Sequence, residues 1–204
     1  MDGTLLDSSS TVPTAYAAAI FELSGVRCTP DEVIAQYTAG PASALISAFI
    51  GRPATDDDVD CWHRHLEARL WQTTSYPGIE PTMRDLATRG IPLGVFTGAT
   101  RRAAEMQLEH SGLARFISAL VGSDEIGAVK PAPDGLQLVC QRLGARVERT
   151  AYVGDARNDL RCARSAGALA VAAAWGHLFE LDLEADLILS SPRDLLSMTR
   201  SDPS

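Results

Sequence analysis

From Tyr76-Pro77-Gly78 onward, short apolar runs alternate with helix-type stretches, and this alternation leaves few architectures open. The runs at 91–96, 116–121, 151–153, 169–173 and 187–189 read as buried parallel strands. Helices are expected between and after them at 81–89, 99–111, 134–143, 157–166 and 193–199. Such an alternation requires right-handed crossovers, which places the chain in the α/β class with a doubly wound parallel sheet. Ligands of such sheets bind in the crevice at the carboxyl ends of the strands. The residues just after the strands, and the start of the chain, are therefore the first candidates for chemistry.

Residues 13–75 have a different texture, with helix signals and almost nothing strand-like. Pro13 opens a stretch that ends near Gly25, and Thr29-Pro30-Asp31-Glu32 is a helix N-terminal signature. Leu45, Ile46, Phe49 and Ile50 fall at helical spacing before Gly51. Asp56-Asp57-Asp58 suit the positive end of a helix dipole, ahead of an apolar stripe of Val59, Trp62, Leu66, Leu70 and Trp71. Trp62 and Trp71 are expected to pack inside this module. Trp62-His63-Arg64-His65 is read as a solvated helix face, and Arg101-Arg102 as a solvated first turn.

Composition excludes several function classes. A net charge of -8 disfavours a nucleic-acid surface, which needs clustered Lys and Arg. Cys28, Cys61, Cys140 and Cys162 have no CxxC spacing and read as reduced thiols of a cytoplasmic protein. No apolar run reaches the ~18 residues of a membrane span, and the N-terminus lacks a signal peptide's apolar region. The expected partner is a small molecule, with neither nucleic acid nor membrane; oligomeric state stays open.

Four short motifs stand at the candidate positions. Thr97-Gly98-Ala99-Thr100 offers a hydroxyl and N–H groups at a helix start, which suits phosphate oxygens; it also suits an ordinary capping threonine. Lys130-Pro131 lies in a loop, where a lone lysine is usually solvated. Gly154-Asp155 with Asp159 sets two carboxylates four residues apart, fit for a hard divalent ion, or for a helix cap beside a solvated acid. Asp2-Gly3-Thr4, taken alone, is only a turn.

In this order the motifs Met1-Asp2-Gly3-Thr4-Leu5, Val95-Phe96-Thr97-Gly98, Lys130-Pro131 and Gly154-Asp155 with Asp159 resemble those of the haloacid dehalogenase-like (HAD) hydrolases. The similarity extends to the branch of phosphoglycolate phosphatases through Leu6-Asp7-Ser8, Tyr76-Pro77-Gly78 and residues 163–167. The resemblance implies a Rossmann-like core formed by residues 1–9 and 76–204, with an inserted helical cap at 10–75. It implies a Mg2+-dependent phosphatase that hydrolyses a small, phosphoglycolate-like phosphomonoester through an aspartyl-phosphate. Asp2 aligns with the second Asp of the family's first motif, the general acid/base. Thr97, Gly98 and Lys130 are implied to hold the transferring group, and Asp2, Asp155 and Asp159 the metal. Asp7 and Ser8 are expected at the hinge into the cap, and Gly40-Pro41-Ala42 resembles a substrate-facing loop.

The chain departs from the family at its start. In the motif's register the nucleophilic Asp falls one residue before Met1, and with it the family's first, central strand. The expectation is a chain lacking that strand and that nucleophile, inactive as it stands, whose true start lies upstream. A phosphosugar mutase of the same family and a non-catalytic HAD-like protein are the alternatives. Dehalogenases and phosphonatases fit poorly, since Asp2 is present and residues 10–75 contain no lysine.

Overall fold

The computed structural model describes residues 1–37 and 40–199. Its first half is helical: α1 (Thr11–Ser24), α2 (Pro30–Ala35), α3 (Ala42–Ile50) and α4 (Asp56–Glu67). Two short strands, β1 (Leu6–Asp7) and β2 (Thr74–Ser75), pair antiparallel and bring the two ends of this helical layer together. Local chemistry explains where the helices begin and end. Thr29 and Thr55 both close capping boxes, with Glu32 and Asp58 respectively, and α1 stops at Gly25, whose φ of 73° terminates the turn.

The second half alternates as expected: α5 (Ile79–Thr88), β3 (Gly94–Phe96), α6 (Arg101–His110), β4 (Ala119–Val121), α7 (Asp134–Leu143), β5 (Ala151–Gly154), α8 (Arg157–Ala166), β6 (Leu169–Ala173) and β7 (Leu187–Leu189). β3 and β4 form one parallel ladder, and β5, β6 and β7 form another. Among the described residues no backbone ladder joins the two. The Tyr152 hydroxyl of β5 reaches across instead and donates to the Phe96 carbonyl at the end of β3, at 2.9 Å.

Two strands are shorter than their apolar runs. Pro92 has no N–H to offer a ladder, and Phe116 is taken up by a 3-10 turn, Ala114–Phe116, so pairing starts only at Gly94 and Ala119. The last expected helix is a 3-10 segment, Pro192–Ser197. No described helix is long and apolar enough to cross a membrane.

Three apolar clusters hold the layers together. One fills the helical layer and includes Tyr16, Ile20, Leu45, Ile46, Trp62 and Leu66; Ala103 of α6 joins it. The other two lie around the parallel ladders, one about Phe96, Leu136 and Leu160, the other about Leu6, Ile79 and Leu108. α4 packs on α1 along one side and on α6 along another, so it buries two faces. This corrects the solvated reading of His63, which is buried against α6, while Trp62 packs inside the layer as expected, stacked on Tyr16 at 4.4 Å between ring centres. The expectation for Trp71 is also overturned, since it is 72% exposed. It lies on the 3-10 turn Leu70–Gln72, where Leu70 turns inward and leaves its neighbour facing out.

Phe96, the residue before Thr97, is held by close packing. A Cβ placed on Gly135 of α7 would lie 2.2 Å from the Phe96 ring. Gly135→Ala is therefore expected to destabilise the fold by about 1–3 kcal/mol through overpacking. Urea unfolding checks this, with an unchanged midpoint as the contrary result.

Candidate active site

The carboxyl ends of β3 and β5 and the first residues of the chain meet in one crevice. Residues 1–6 form a tight loop in which the Met1 carbonyl accepts from the N–H groups of Thr4, Leu5 and Leu6 at 3.1, 2.7 and 3.2 Å. Gly3 has φ 75°, and a Cβ there would fall 2.1 Å from an Asp155 oxygen. Only glycine lets the loop pass so close to the carboxylate. Asp2 is half-buried, and its Oδ1 accepts a hydrogen bond from the Ser8 hydroxyl at 2.5 Å.

Asp155 follows β5 and is buried between two loops. Its Oδ1 accepts from the Thr4 hydroxyl at 3.2 Å, and its Oδ2 from the Leu178 N–H at 3.0 Å. The second loop, after β6, approaches because Gly176 has no Cβ; one there would lie 2.2 Å from the Asp155 Cβ and 2.3 Å from the Gly3 carbonyl. Trp175 locks the two loops together by donating its indole N–H to the Thr4 carbonyl at 2.9 Å. Burial pushes the Asp155 carboxyl up from its ordinary range. The neighbouring Asp159 adds to the rise, against a lowering pull from the Leu178 N–H.

Lys130, half-buried, and the buried Asp159 form an ion pair at 2.6 Å. The ammonium also donates to the Tyr152 hydroxyl at 3.3 Å and stands over the Phe96 ring, 5.2 Å from its centre. The other Asp159 oxygen accepts from the Ala156 N–H at 3.2 Å, at the start of α8. Burial alone would raise the Asp159 carboxyl, but the Lys130 charge and hydrogen bond outweigh it and hold the acid below its ordinary range. Lys130 is raised, its burial outweighed by the Asp159 charge. These contacts correct the plain reading of the motif: Lys130 is not a solvated loop lysine, nor is Asp159 a solvated acid, and Ala156, not Asp155, occupies the N-cap.

The Met1 amino group is pushed down by burial and by Lys130, while Asp2, Asp159 and Asp155 oppose the shift. Thr97 is buried at the end of β3; its N–H donates to the Val121 carbonyl at 3.1 Å, and its hydroxyl accepts from the Ala99 N–H at 3.1 Å. The cap of α6 is Thr100, not Thr97. Gly98 beside it faces open space. The Thr97 loop is thus joined to Lys130 through Phe96 and Tyr152.

Thr100 is tied to the helical layer. His63 Nε2 lies 2.8 Å from the Thr100 hydroxyl, its Nδ1 lies 3.5 Å from Asp60, and Asp60 pairs with Arg102 at 2.7 Å. Arg102 is therefore an ion-pair partner, and Arg101 likewise pairs with Glu105 and Glu125. Asp7 turns its carboxylate to the Ser9 N–H and hydroxyl, while Ser8 reaches Asp2. Gly40-Pro41-Ala42 leads into α3, but the preceding Thr38 and Ala39 lie outside the described residues.

Sequence reading missed Trp175, Gly176, Leu178 and Tyr152. The first two follow a recognised strand directly, so inspecting the end of 169–173 as closely as the others finds them. A second signal is the lysine count: Lys130 is the chain's only lysine, and the other seventeen basic side chains are arginines.

The family model of haloacid dehalogenase-like hydrolases matches residues 1–173. Phosphoglycolate phosphatase of Chromobacterium violaceum is 30% identical over 209 residues, covering 98% of this chain and 94% of the relative. The phosphoglycolate phosphatase of Aquifex aeolicus is 28% identical over 199 residues, covering 97% and 93%. Among solved structures, CbbY from Rhodobacter sphaeroides in complex with phosphate superposes with a TM-score of 0.83 at 21% identity, covering 96% of this chain and 93% of that one. At that identity the likeness concerns the fold.

The ion pair makes a pH-dependent prediction. Lys130→Met leaves the Asp159 carboxylate buried without its cation, a loss expected to cost about 3–5 kcal/mol at pH 8. In the wild type the Asp159 pKa is lowered by folding, so the pair's contribution is complete above the ordinary carboxylate range and is lost as pH falls through the folded value. In the variant burial raises that pKa, so Asp159 takes up a proton first and the deficit shrinks on acidification. Urea unfolding at pH 8 and pH 5 measures both, and a deficit that grows at pH 5 contradicts it.

Proposed function

Because the chain belongs to the haloacid dehalogenase-like hydrolase family, we propose that it serves as a phosphatase for a small phosphomonoester of the phosphoglycolate kind, acting through an aspartyl-phosphate. The hydrogen-bonded linkage of the first loop to Asp155 through Thr4, of Lys130 to Asp159, and of Lys130 through Tyr152 to the residue before Thr97 supports this proposal. Relatives named phosphoglycolate phosphatase support the substrate class. Residues 10–75 then act as the cap and residues 1–9 and 76–204 as the core.

The donor set suits Mg2+. The Asp155 and Asp159 carboxylates and the Asp2 carbonyl offer hard oxygens, and burial, with the like charge of Asp159 adding to it, raises the Asp155 carboxyl, a cost that a cation relieves. The backbone carbonyl of Asp2 and the Asp155 carboxylate would hold the ion. Asp159, whose oxygens already accept from Lys130 and Ala156, would reach it through water. When bound, the ion offsets repulsion between carboxylate and phosphate.

The chain's own groups divide the remaining work. The Thr97 hydroxyl, the Gly98 N–H and the Lys130 ammonium bind the oxygens over which charge spreads in the transition state. Ser8 holds Asp2 Oδ1, leaving Oδ2 to give a proton to the departing alcohol and later to take one from the attacking water. The attacking carboxylate belongs, in the motif's register, to the position before Met1, so the assay includes a chain extended there by an apolar strand ending in Asp.

Phosphate release from phosphoglycolate and other small phosphomonoesters, with Mg2+ and with chelator, tests the proposal. The extended chain is expected to release phosphate only with Mg2+, and Asp2→Asn to lower kcat by about 10²–10⁴-fold. No release from any small phosphoester overturns the phosphatase assignment, and phosphate migration within a sugar phosphate identifies a mutase instead. Independently of turnover, Mg2+ is expected to raise the Tm of the wild type and to leave Asp155→Asn unmoved.

A further inference from the structure

On the helical layer, away from the crevice, three side chains of different chemistry face one another. Cys61 and His65 are four residues apart on α4 and so share one face. Glu22 of α1 meets them there. One ligand atom from each of the three lies within 4.8 Å of the other two, and His65 Nε2 is 2.7 Å from Glu22 Oε2. We propose that Glu22, Cys61 and His65 form a binding site for a thiolate-preferring divalent cation of the zinc class, with a fourth position open to water.

The chemistry of the set selects that class. Thiolate and imidazole favour zinc over magnesium, and three protein ligands plus water is a familiar open zinc arrangement. Zinc bonds of about 2.0–2.3 Å place tetrahedral neighbours roughly 3.3–3.6 Å apart. The present separations bracket that spacing, so small side-chain rotations suffice. Arg64 donates to Glu22 Oε1 at 3.1 Å, orienting the carboxylate, and Oε2, which now accepts from His65 Nε2, would turn to the metal.

Protons balance simply. The buried Cys61 thiol loses its proton to solvent as the sulfur–metal bond forms. His65 now carries its proton on Nε2, which donates to Glu22 Oε2, while Nδ1 accepts from Arg69; to bind through Nε2 it shifts that proton to Nδ1. Arg69, 3.3 Å from that Nδ1, turns aside and keeps its 2.9 Å bond to the His65 carbonyl. Glu22, Arg64 and Asp58 are the charges that act on Cys61, and burial keeps its thiol protonated without a cation. One proton leaves per ion, so affinity rises about tenfold per pH unit below the thiol pKa. A bound ion would pin α1 to α4, the helix that carries His63 to Thr100.

Cobalt titration of the full chain in excess Mg2+ tests the proposal without any activity assay. A one-to-one thiolate-to-cobalt charge-transfer absorption is expected, along with a rise in Tm on adding Zn2+. Both disappear in Cys61→Ser. His65→Gln and Glu22→Gln, at less buried positions, keep the fold and weaken cobalt binding by more than about 10-fold, the lower bound for losing an outer-shell partner. No charge-transfer band, a band that survives Cys61→Ser, or equal affinity in His65→Gln and Glu22→Gln overturns the site.

Discussion

The ion pair of Lys130 with Asp159 anchors the crevice, because it ties a loop lysine to the first turn of α8 and, through Tyr152, to the end of β3. Two charges withdrawn from water repay their desolvation only when geometry and further hydrogen bonds satisfy them. Here the ammonium has a carboxylate, a phenol oxygen and an aromatic face, and the carboxylate has a backbone N–H as its second donor. Gly154 makes the pairing possible, since a Cβ there would lie 2.3 Å from the Asp159 side chain. A lysine fits where the seventeen arginines do not, for its compact ammonium can stand over a ring and meet a single oxygen.

Asp155 is held by the opposite strategy. Its carboxylate is wedged between two loops that meet only because Gly3 and Gly176 lack side chains, and it has no cationic side chain as a hydrogen-bond partner among the described residues. Its charge is therefore costly, while that of Asp159 is well compensated. Two carboxylates four residues apart thus sit in unlike environments, one suited to orienting a lysine and the other to receiving a cation. Trp175 and Leu178 enforce the difference from the loop after β6.

How much was legible depended on whether a signal was local. The Thr29-to-Glu32 signature was readable because a cap acts within four residues, and Asp56-Asp57-Asp58 open α4 as their charge suggests. The order of strands and helices followed from periodicity. His63 and Trp71 were misread because burial depends on what lies on each side of an element. α4 has neighbours on two faces, so the pattern of one face says nothing about the other. Trp175 was missed for a related reason: its partner, Thr4, is 171 positions away.

Sequence alone determined the class of fold, the family resemblance and the identities of Asp2, Thr97, Lys130, Asp155 and Asp159, because motifs and periodicity are written in consecutive residues. Tertiary structure decided which of those groups are buried, which carboxylate takes the lysine, and which loops close over the other. It also brought Glu22 to Cys61 and His65, which no linear spacing reveals. Burial and charge pairing are properties of neighbours in space, and a pKa follows its neighbours, not its place in the chain.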